Sequence, residues 1–159
     1  MDGQHTCEGN LHLADSNKRF GTILQTLKDH GHRITPQRLA IVRILAESEN
    51  HPSVENIHEQ VKKDFPTMSL ATVYKNVDLI KALGEVLELG FPDGSNRYDG
   101  KNPHPHPHVI CIRCKKIFDP DLESLDEMQK EVASETRFKI LYHRLDFFGL
   151  CSSCSSEKE

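Results

Sequence analysis

Two pairs of cysteines constrain this chain more than any other feature of its sequence. Cys111 and Cys114 form one Cys-x-x-Cys turn, Cys151 and Cys154 form a second, and 36 residues separate the pairs. Each turn places two thiolates on one side of a bend, and two such turns brought together give the tetrahedral four-sulfur geometry that suits a structural Zn²⁺ ion. The length of the separation predicts folded structure between the pairs.

Two other uses of the cysteines are less favoured. The chain shows no signal-peptide pattern and its cysteines are sparse, which argues against a disulfide framework. Two matched pairs late in one chain argue against a thioredoxin-like redox motif. Cys7 lies in a polar N-terminal stretch, and we interpret it as an incidental exposed thiol. No apolar run is long enough to span a bilayer, so the sequence predicts a cytosolic protein.

Helical periodicity and capping signals predict four helices in the first half of the chain. The residues before the first helix, 1–17, are polar and predict a loose extension. The third helix is predicted to end at Pro66, which leaves a short turn before the fourth. The predicted starts of the four helices are Lys18, Thr35-Pro36, Ser53 with Asn56 as its partner, and Ser69.

A predicted hairpin follows the helices and suggests a nucleic-acid-binding domain. Alternating residues at 85–89 and a returning stretch at 96–99 flank the turn sequence Gly90–Gly94. Helices followed by a hairpin predict a winged helix-turn-helix over residues 18–100. The net charge of −4 does not indicate DNA binding, although Lys and Arg outnumber acids between residues 16 and 84.

In a helix-turn-helix, the start of the second helix of the motif enters the major groove. For any single polar residue there, a solvated helix face is an equally good interpretation. The candidate DNA contacts are Arg33, Gln37, Arg38, Ser69, Thr72, Tyr74 and Lys75.

The rest of the chain predicts a small α/β domain over residues 101–154, followed by a tail at 155–159. Strands are predicted at 109–112 and 116–118, a helix at 122–137, and a long strand at 138–148. These elements account for the separation of the cysteine pairs. The fold class is therefore α+β: a winged helix followed by a small α/β domain with a four-cysteine zinc site.

Proline and histidine alternate between Pro103 and His108. In an extended chain this spacing turns His106 and His108 to the same side, which gives half of a metal site. His104 lies one step earlier and could substitute as a ligand. The alternative is a stiff linker that merely tolerates histidine.

From Arg33 to Cys154, about three quarters of the chain, the sequence resembles the ferric uptake regulator (Fur) family of bacterial metal-responsive repressors. The matching motifs are Arg33-Ile-Thr-Pro-Gln-Arg38, His51-Pro52, Ser69-Leu-Ala-Thr-Val-Tyr74, Asn96-Arg97-Tyr98-Asp99, His106-x-His108-x-x-Cys111-x-x-Cys114, and Cys151-x-x-Cys154. The occurrence of all these motifs in the same order makes the resemblance to the family highly specific.

The resemblance implies a homodimer that binds operator DNA, with the second domain mediating dimerisation and zinc on the four cysteines. It maps a regulatory Fe(II) or Mn(II) site onto His51, Asp99, His106, His108 and Asp119. Three imidazoles and two carboxylates are a donor set that suits either ion.

Asp119 distinguishes branches of the family. Iron-uptake regulators generally carry Glu at this place, whereas peroxide-sensing (PerR-type) members carry Asp. The resemblance therefore implies a peroxide sensor in which His51 or His106 is oxidised. An iron- or manganese-uptake regulator is the alternative within the family.

A further metal site found in many iron-uptake regulators is not expected here. The residues that flank the two histidines are Pro105 and Pro107, which offer no side-chain ligand, although Asp126 and His143 match the rest of that site. Outside the family, a metal-dependent hydrolase would leave the helix-turn-helix unexplained, and no motif supplies a general base. A zinc-built interaction module without DNA binding is a third class.

Overall fold

A computed structural model of the protein describes residues 8–91, 94–122 and 124–156. The chain divides into two units, residues 1–103 and residues 104–159. The first unit has four helices and two strands: α1 Glu8–Asp29, α2 Pro36–Glu47, α3 Val54–Val61, α4 Leu70–Ala82, β1 Leu87–Gly90 and β2 Asn96–Asp99.

Side-chain caps fix where three of these helices begin. The Thr35 hydroxyl accepts a hydrogen bond from the Arg38 N–H at 3.2 Å, and Pro36 follows as the first helical residue of α2. Ser53 and Asn56 form a reciprocal capping box at the start of α3. The starts predicted for α2, α3 and α4 are therefore confirmed.

The helices of the first unit surround one hydrophobic core. Each helix contributes buried side chains at helical spacing, and the wing adds Val86 and Tyr98. The central, fully buried residues are Ile23, Leu27, Ile41, Val42, Leu45, Ile57, Val73, Val77 and Ile80.

A hairpin completes the first unit. Strands β1 and β2 pair antiparallel, with Leu87 opposite Asp99 and Gly90 opposite Asn96. Three helices packed on one another and followed by this hairpin form a winged helix-turn-helix, in which α4 is the second helix of the motif.

The second unit is a small three-stranded sheet with two helices. Its strands run in the order β4-β3-β5, with β3 antiparallel to β4 and parallel to β5. The elements are β3 His108–Cys111, β4 Ile117–Phe118, α5 Leu125–Thr136, β5 Asp146–Gly149 and α6 Ser152–Ser156. The mixed helix and sheet content confirms the predicted α+β class.

Helix α1 begins earlier than predicted, at Glu8 rather than Lys18. Ser16 is already 5% exposed, so the helix packs against the unit before the first apolar residue of the predicted pattern. A small polar residue at a packing position gives no hydrophobic signal, which is why the prediction began too late.

Two predicted ends are also wrong. Helix α3 ends at Val61 rather than Pro66, and the N–H groups of Asp64 and Phe65 both turn back onto the Val61 carbonyl. The long strand predicted at 138–148 reduces to Asp146–Gly149, because β3 offers only four residues for parallel pairing. Phe138, at 73% exposure, lies outside any sheet.

Cys7, two residues of the wing turn (92–93) and the end of the predicted tail (157–159) lie outside the described residues. Within the described ranges, no helix combines the length and the hydropathy that a bilayer crossing requires.

Candidate metal centres and nucleic-acid interface

The four paired cysteines lie together in the second unit. Cys111 ends β3, Cys114 closes the following turn, Cys151 precedes α6 and Cys154 lies within it. Their Sγ atoms all lie within 4.8 Å of one another. Tetrahedral zinc with Zn–S bonds of about 2.3 Å separates its sulfurs by about 3.8 Å, and the Cys114 and Cys151 Sγ atoms are 3.7 Å apart. The cluster therefore fits Zn²⁺.

Backbone N–H groups favour the thiolate at one corner of this cluster. The N–H groups of Cys114 and Cys151 point at the Cys111 sulfur, with the second at 3.4 Å, and they lower the pKa of Cys111 to about 6. Hydrogen bonding to Cys151 and burial raise the pKa of Cys154 to about 12. Like charges held this close favour a shared proton, and a divalent cation would remove that repulsion.

A buried histidine and carboxylate form a pair in the first unit. His51 precedes α3, Asp99 ends β2, and each side chain is 3% exposed, with 3.4 Å between His51 Nε2 and Asp99 Oδ2. Asp99 Oδ1 accepts hydrogen bonds from the N–H groups of Lys101 and Asn102 at 2.8 and 2.9 Å. The carboxylate is thus oriented with Oδ2 toward the imidazole.

The backbone at His51 is unusual. Its φ of 46° lies in the left-handed region, and the next residue is Pro52. A residue with a Cβ rarely adopts this conformation, and a following proline further restricts it. The conformation places the imidazole in the interior of the unit.

Two histidines and an aspartate form a cluster in the second unit. The rings of His106 and His108 lie with centroids 4.3 Å apart. Their Nε2 atoms lie 3.7 and 4.0 Å from the Asp119 carboxylate. Histidine and carboxylate donors at this spacing fit Fe(II), Mn(II) or Zn(II).

Behind His108 lies a carboxylate that sequence reasoning missed. His108 Nδ1 is 3.3 Å from Asp146 Oδ1, and Asp146 Oδ2 accepts a hydrogen bond from Arg144 Nε at 2.5 Å. A carboxylate on the far nitrogen of a metal-binding imidazole fixes its tautomer and orientation. The parallel register His108 to Asp146 creates this contact, and no local motif marks it.

Asp126 and His143, which match part of a further family site that was not expected here, belong to no cluster of possible metal ligands within the described part of the chain, nor does His104. Asp126 lies on the exposed face of α5, and His143 is half-buried.

The start of α4 presents the predicted DNA-contacting residues. Ser69 and Thr72 hydroxyls lie 2.8 Å apart, and the Ser69 hydroxyl also caps the helix. Lys75 is exposed, and Tyr74 is 40% exposed with its hydroxyl donating to Glu55 Oε1 at 2.8 Å. Sequence reasoning missed Glu55, which lies 19 residues away in α3.

The remaining predicted DNA contacts differ in their surroundings. Arg33 and Gln37 are exposed. Arg38 instead braces the fold: its Nε donates to Asn76 Oδ1 at 2.8 Å and its Nη1 to the Arg33 carbonyl at 2.5 Å. These hydrogen bonds connect α2 to α4. They use Nε and Nη1 of Arg38, which leaves fewer donors of the guanidinium for a phosphate.

Comparison with known proteins identifies the fold and the family. Residues 29–148 match the model of the Ferric uptake regulator family. The peroxide-responsive repressor PerR of Staphylococcus saprophyticus is 40% identical over 134 residues, which cover 84% of this chain and 90% of that protein. The ferric uptake regulator of Helicobacter pylori, 21% identical, shares the fold with a TM-score of 0.78 over the whole of both chains.

A third relative is PerR of Streptococcus pyogenes, whose structure addresses peroxide sensing and gene regulation. It is 32% identical, the match covers 86% of this chain and 92% of that one, and the TM-score is 0.50. A family match over most of the chain, together with 40% identity to a curated member, shows that this protein belongs to the ferric uptake regulator family.

Proposed function

We propose that this protein is a metal-dependent, DNA-binding transcriptional repressor that senses peroxide. The observation that carries the proposal is Asp119 beside His106 and His108, since Asp at this place is typical of the peroxide-sensing branch. The 40% identity to a peroxide-responsive repressor supports the same branch.

We assign the four-cysteine cluster to structural zinc. The sulfur spacing suits tetrahedral zinc, the low pKa of Cys111 favours its thiolate, and four protein ligands leave no position for a substrate. In such a site the cysteines hold β3 and α6 in place, so metal binding and folding of the second unit are one process.

We assign the regulatory metal to His51 and Asp99 of the first unit together with His106, His108 and Asp119 of the second. The two donor sets are incomplete for a six-coordinate ion when taken separately, and together they supply three imidazoles and two carboxylates. One ion bound by both sets would favour the arrangement of the units that binds DNA.

Bound Fe(II) would supply the reduction of peroxide and the oxidation of an adjacent imidazole. His51 and His106 are the residues proposed to be modified, and an oxidised ring is a poor ligand. Asp99 and Asp119 would hold the ion through oxygen, and Asp146, which contacts Nδ1 of His108, would fix the tautomer of that ring. Loss of one imidazole would release the link between the units and lower the affinity for DNA.

The DNA-binding surface proposed here is the start of α4. Its free N–H groups and the Ser69 hydroxyl suit a phosphate, while Tyr74 and Lys75 suit a base edge or a phosphate. Two copies in a symmetric dimer would place two such helices against two half-sites.

Exposed apolar side chains of the second unit support the proposed homodimer. Large apolar side chains are exposed on β4, α5 and β5 and on the residues that flank α5 and β5, and exposed apolar surface is typical of interfaces. They are Phe118, Leu122, Met128, Val132, Phe138, Leu141, Tyr142, Phe147, Phe148 and Leu150.

The experiment that tests the signal is mass spectrometry of the metal-loaded protein after stoichiometric peroxide. With Fe(II) bound, we expect one added oxygen atom on His51 or His106 and release from operator DNA. With Mn(II) bound, we expect neither. If the iron-loaded protein remains bound to DNA and its histidines remain unmodified after peroxide, the protein is not a peroxide sensor. An iron- or manganese-uptake regulator then becomes the better hypothesis.

Asp119→Glu is the matched variant. It keeps a carboxylate next to His106 and His108 and lengthens it by one methylene, so metal-dependent DNA binding should persist while sensitivity to peroxide falls. Equal oxidation of variant and wild type would show that Asp119 does not set the response.

A further inference from the structure

Arg19 of helix α1 joins three parts of the first unit that are far apart in sequence. Its Nη1 and Nη2 donate to the Glu85 carboxylate and carbonyl at 2.5 and 2.6 Å. Its Nε donates to the Gly100 carbonyl at 2.7 Å. Thr26, two turns further along α1, donates to the other Glu85 oxygen at 2.6 Å. The side chains of Arg19 and Glu85 are each 13% exposed.

Gly100 is held from its other side by α2. A Cβ placed on Gly100 would lie 2.7 Å from both the Cβ and the carbonyl oxygen of Leu45. The backbone at Gly100 is therefore confined between Leu45 and the Arg19 guanidinium, and no larger residue fits there.

The confined residue directly follows Asp99. The Asp99 carboxylate uses Oδ1 to accept the N–H groups of Lys101 and Asn102, which closes a turn around Gly100. Asp99 is also paired with Leu87 at the end of the hairpin. The orientation of Asp99 Oδ2 therefore depends on this turn, and Arg19 binds the Gly100 carbonyl at the centre of the turn.

We propose that Arg19 is a positioning residue for Asp99 and that it couples the docking of helix α1 to divalent-cation binding. This inference rests on the proposed role of Asp99 as a regulatory ligand. A ligand held in its bound geometry loses less entropy on binding, so releasing the turn lowers affinity for the cation. By linkage, bound cation stabilises the docked α1 to the same extent.

The competing explanation is that Arg19 only braces the fold. Arg43 provides the matched control, because this arginine of α2 also contacts a side chain of α1 but donates its hydrogen bond within α2 rather than to the turn. Its guanidinium lies 4.2 Å from the centre of the Phe20 ring in α1, and it donates to Glu47 at 2.9 Å.

The test compares wild type, Arg19→Gln and Arg43→Gln as full-length, zinc-replete proteins. Mn(II) binding is titrated by electron paramagnetic resonance, and hydrogen exchange of the Lys101 and Asn102 amides is measured without Mn(II). For Arg19→Gln we expect about tenfold weaker Mn(II) binding, in the range found for residues that orient ligands, and faster exchange at both amides. For Arg43→Gln we expect wild-type values of both.

Equal Mn(II) affinity of Arg19→Gln and wild type overturns the inference, and so does an equal loss in both variants. If wild type binds no Mn(II), the proposed regulatory site itself fails. The amide exchange then still shows whether Arg19 orders the turn, so the two failures are distinguishable. If Arg19→Gln does not fold, Arg19→Lys replaces it in the test. This variant keeps the positive charge opposite Glu85 but loses the several donors of the guanidinium, so we expect a smaller decrease in Mn(II) affinity.

Discussion

The two units of this protein are stabilised in different ways. The first buries a continuous set of aliphatic side chains contributed by all four helices and the wing. In the described part of the second unit, the buried apolar side chains are Pro107, Ile110, Cys111 and Cys154, and two of these are zinc-ligand candidates. The first unit is stabilised by buried apolar surface, whereas the second buries little and depends more on ligation by its cysteines.

The largest expected effect breaks the second unit alone. Cys111→Ser should abolish zinc binding and unfold residues 104–159, because structural zinc supplies about 10–16 kcal/mol in small metal-dependent domains. Helical circular dichroism from the first unit should persist. Zinc content, NMR dispersion and oligomeric state check this, with Cys7→Ser as the control. A zinc-free variant whose second unit remains folded would contradict the claim that this unit depends on metal ligation.

The reverse test weakens the first unit. Ile57 is fully buried in the core, so Ile57→Ala should lower the free energy of unfolding of that unit by about 2–5 kcal/mol and leave zinc content unchanged. Urea denaturation measures the loss. Leu39→Ala, at a position 37% exposed on α2, is the control and should cost much less.

Substitutions on α4 should affect DNA binding while both units remain intact. Tyr74→Ala should cost about 1–3 kcal/mol of operator affinity. Lys75→Ala should weaken binding and reduce the slope of log affinity against log salt by about 1. Fluorescence anisotropy at several salt concentrations measures both. Lys130→Ala, on α5 of the second unit, is the control, and unchanged affinity for Tyr74→Ala and Lys75→Ala would mean that another face meets DNA.

The smallest effect concerns alkaline stability of the first unit. Burial and the neighbouring Glu88 carboxylate raise the pKa of Tyr98 to about 12, from a usual value of 10.0. Since the folded state holds this proton more tightly, Tyr98 contributes stability below pH 10 that is lost as the pH rises toward 12. Tyr98→Phe should therefore be less stable than wild type at pH 8, with a gap that narrows at pH 11. A gap independent of pH would contradict the shift.

Features that depend on a few neighbouring residues could be predicted from the sequence. Thr35 with Pro36, and Ser53 with Asn56, cap helices within one turn, so the local pattern fixed those starts. The two Cys-x-x-Cys spacings alone identified the four cysteines as candidate zinc ligands.

What the sequence could not predict depends on distant contacts. The sequence at 138–148 predicts a long strand, but the length of β5 is set by its neighbour β3. The hydrogen bond between Arg19 and Gly100 spans 81 positions, and the one between His108 and Asp146 spans 38. Such contacts arise from the topology and leave no signal in composition or periodicity.

The left-handed backbone of His51 implies an opposition between selection for folding and selection for sensing. Glycine at this position would relieve a conformational cost of about 1–3 kcal/mol and would delete one proposed ligand. A library screened only for thermal resistance should therefore enrich His51→Gly, and the winners should repress poorly. Retention of histidine in such a screen would show that Asp99 and the surrounding core already compensate for the strain without any metal.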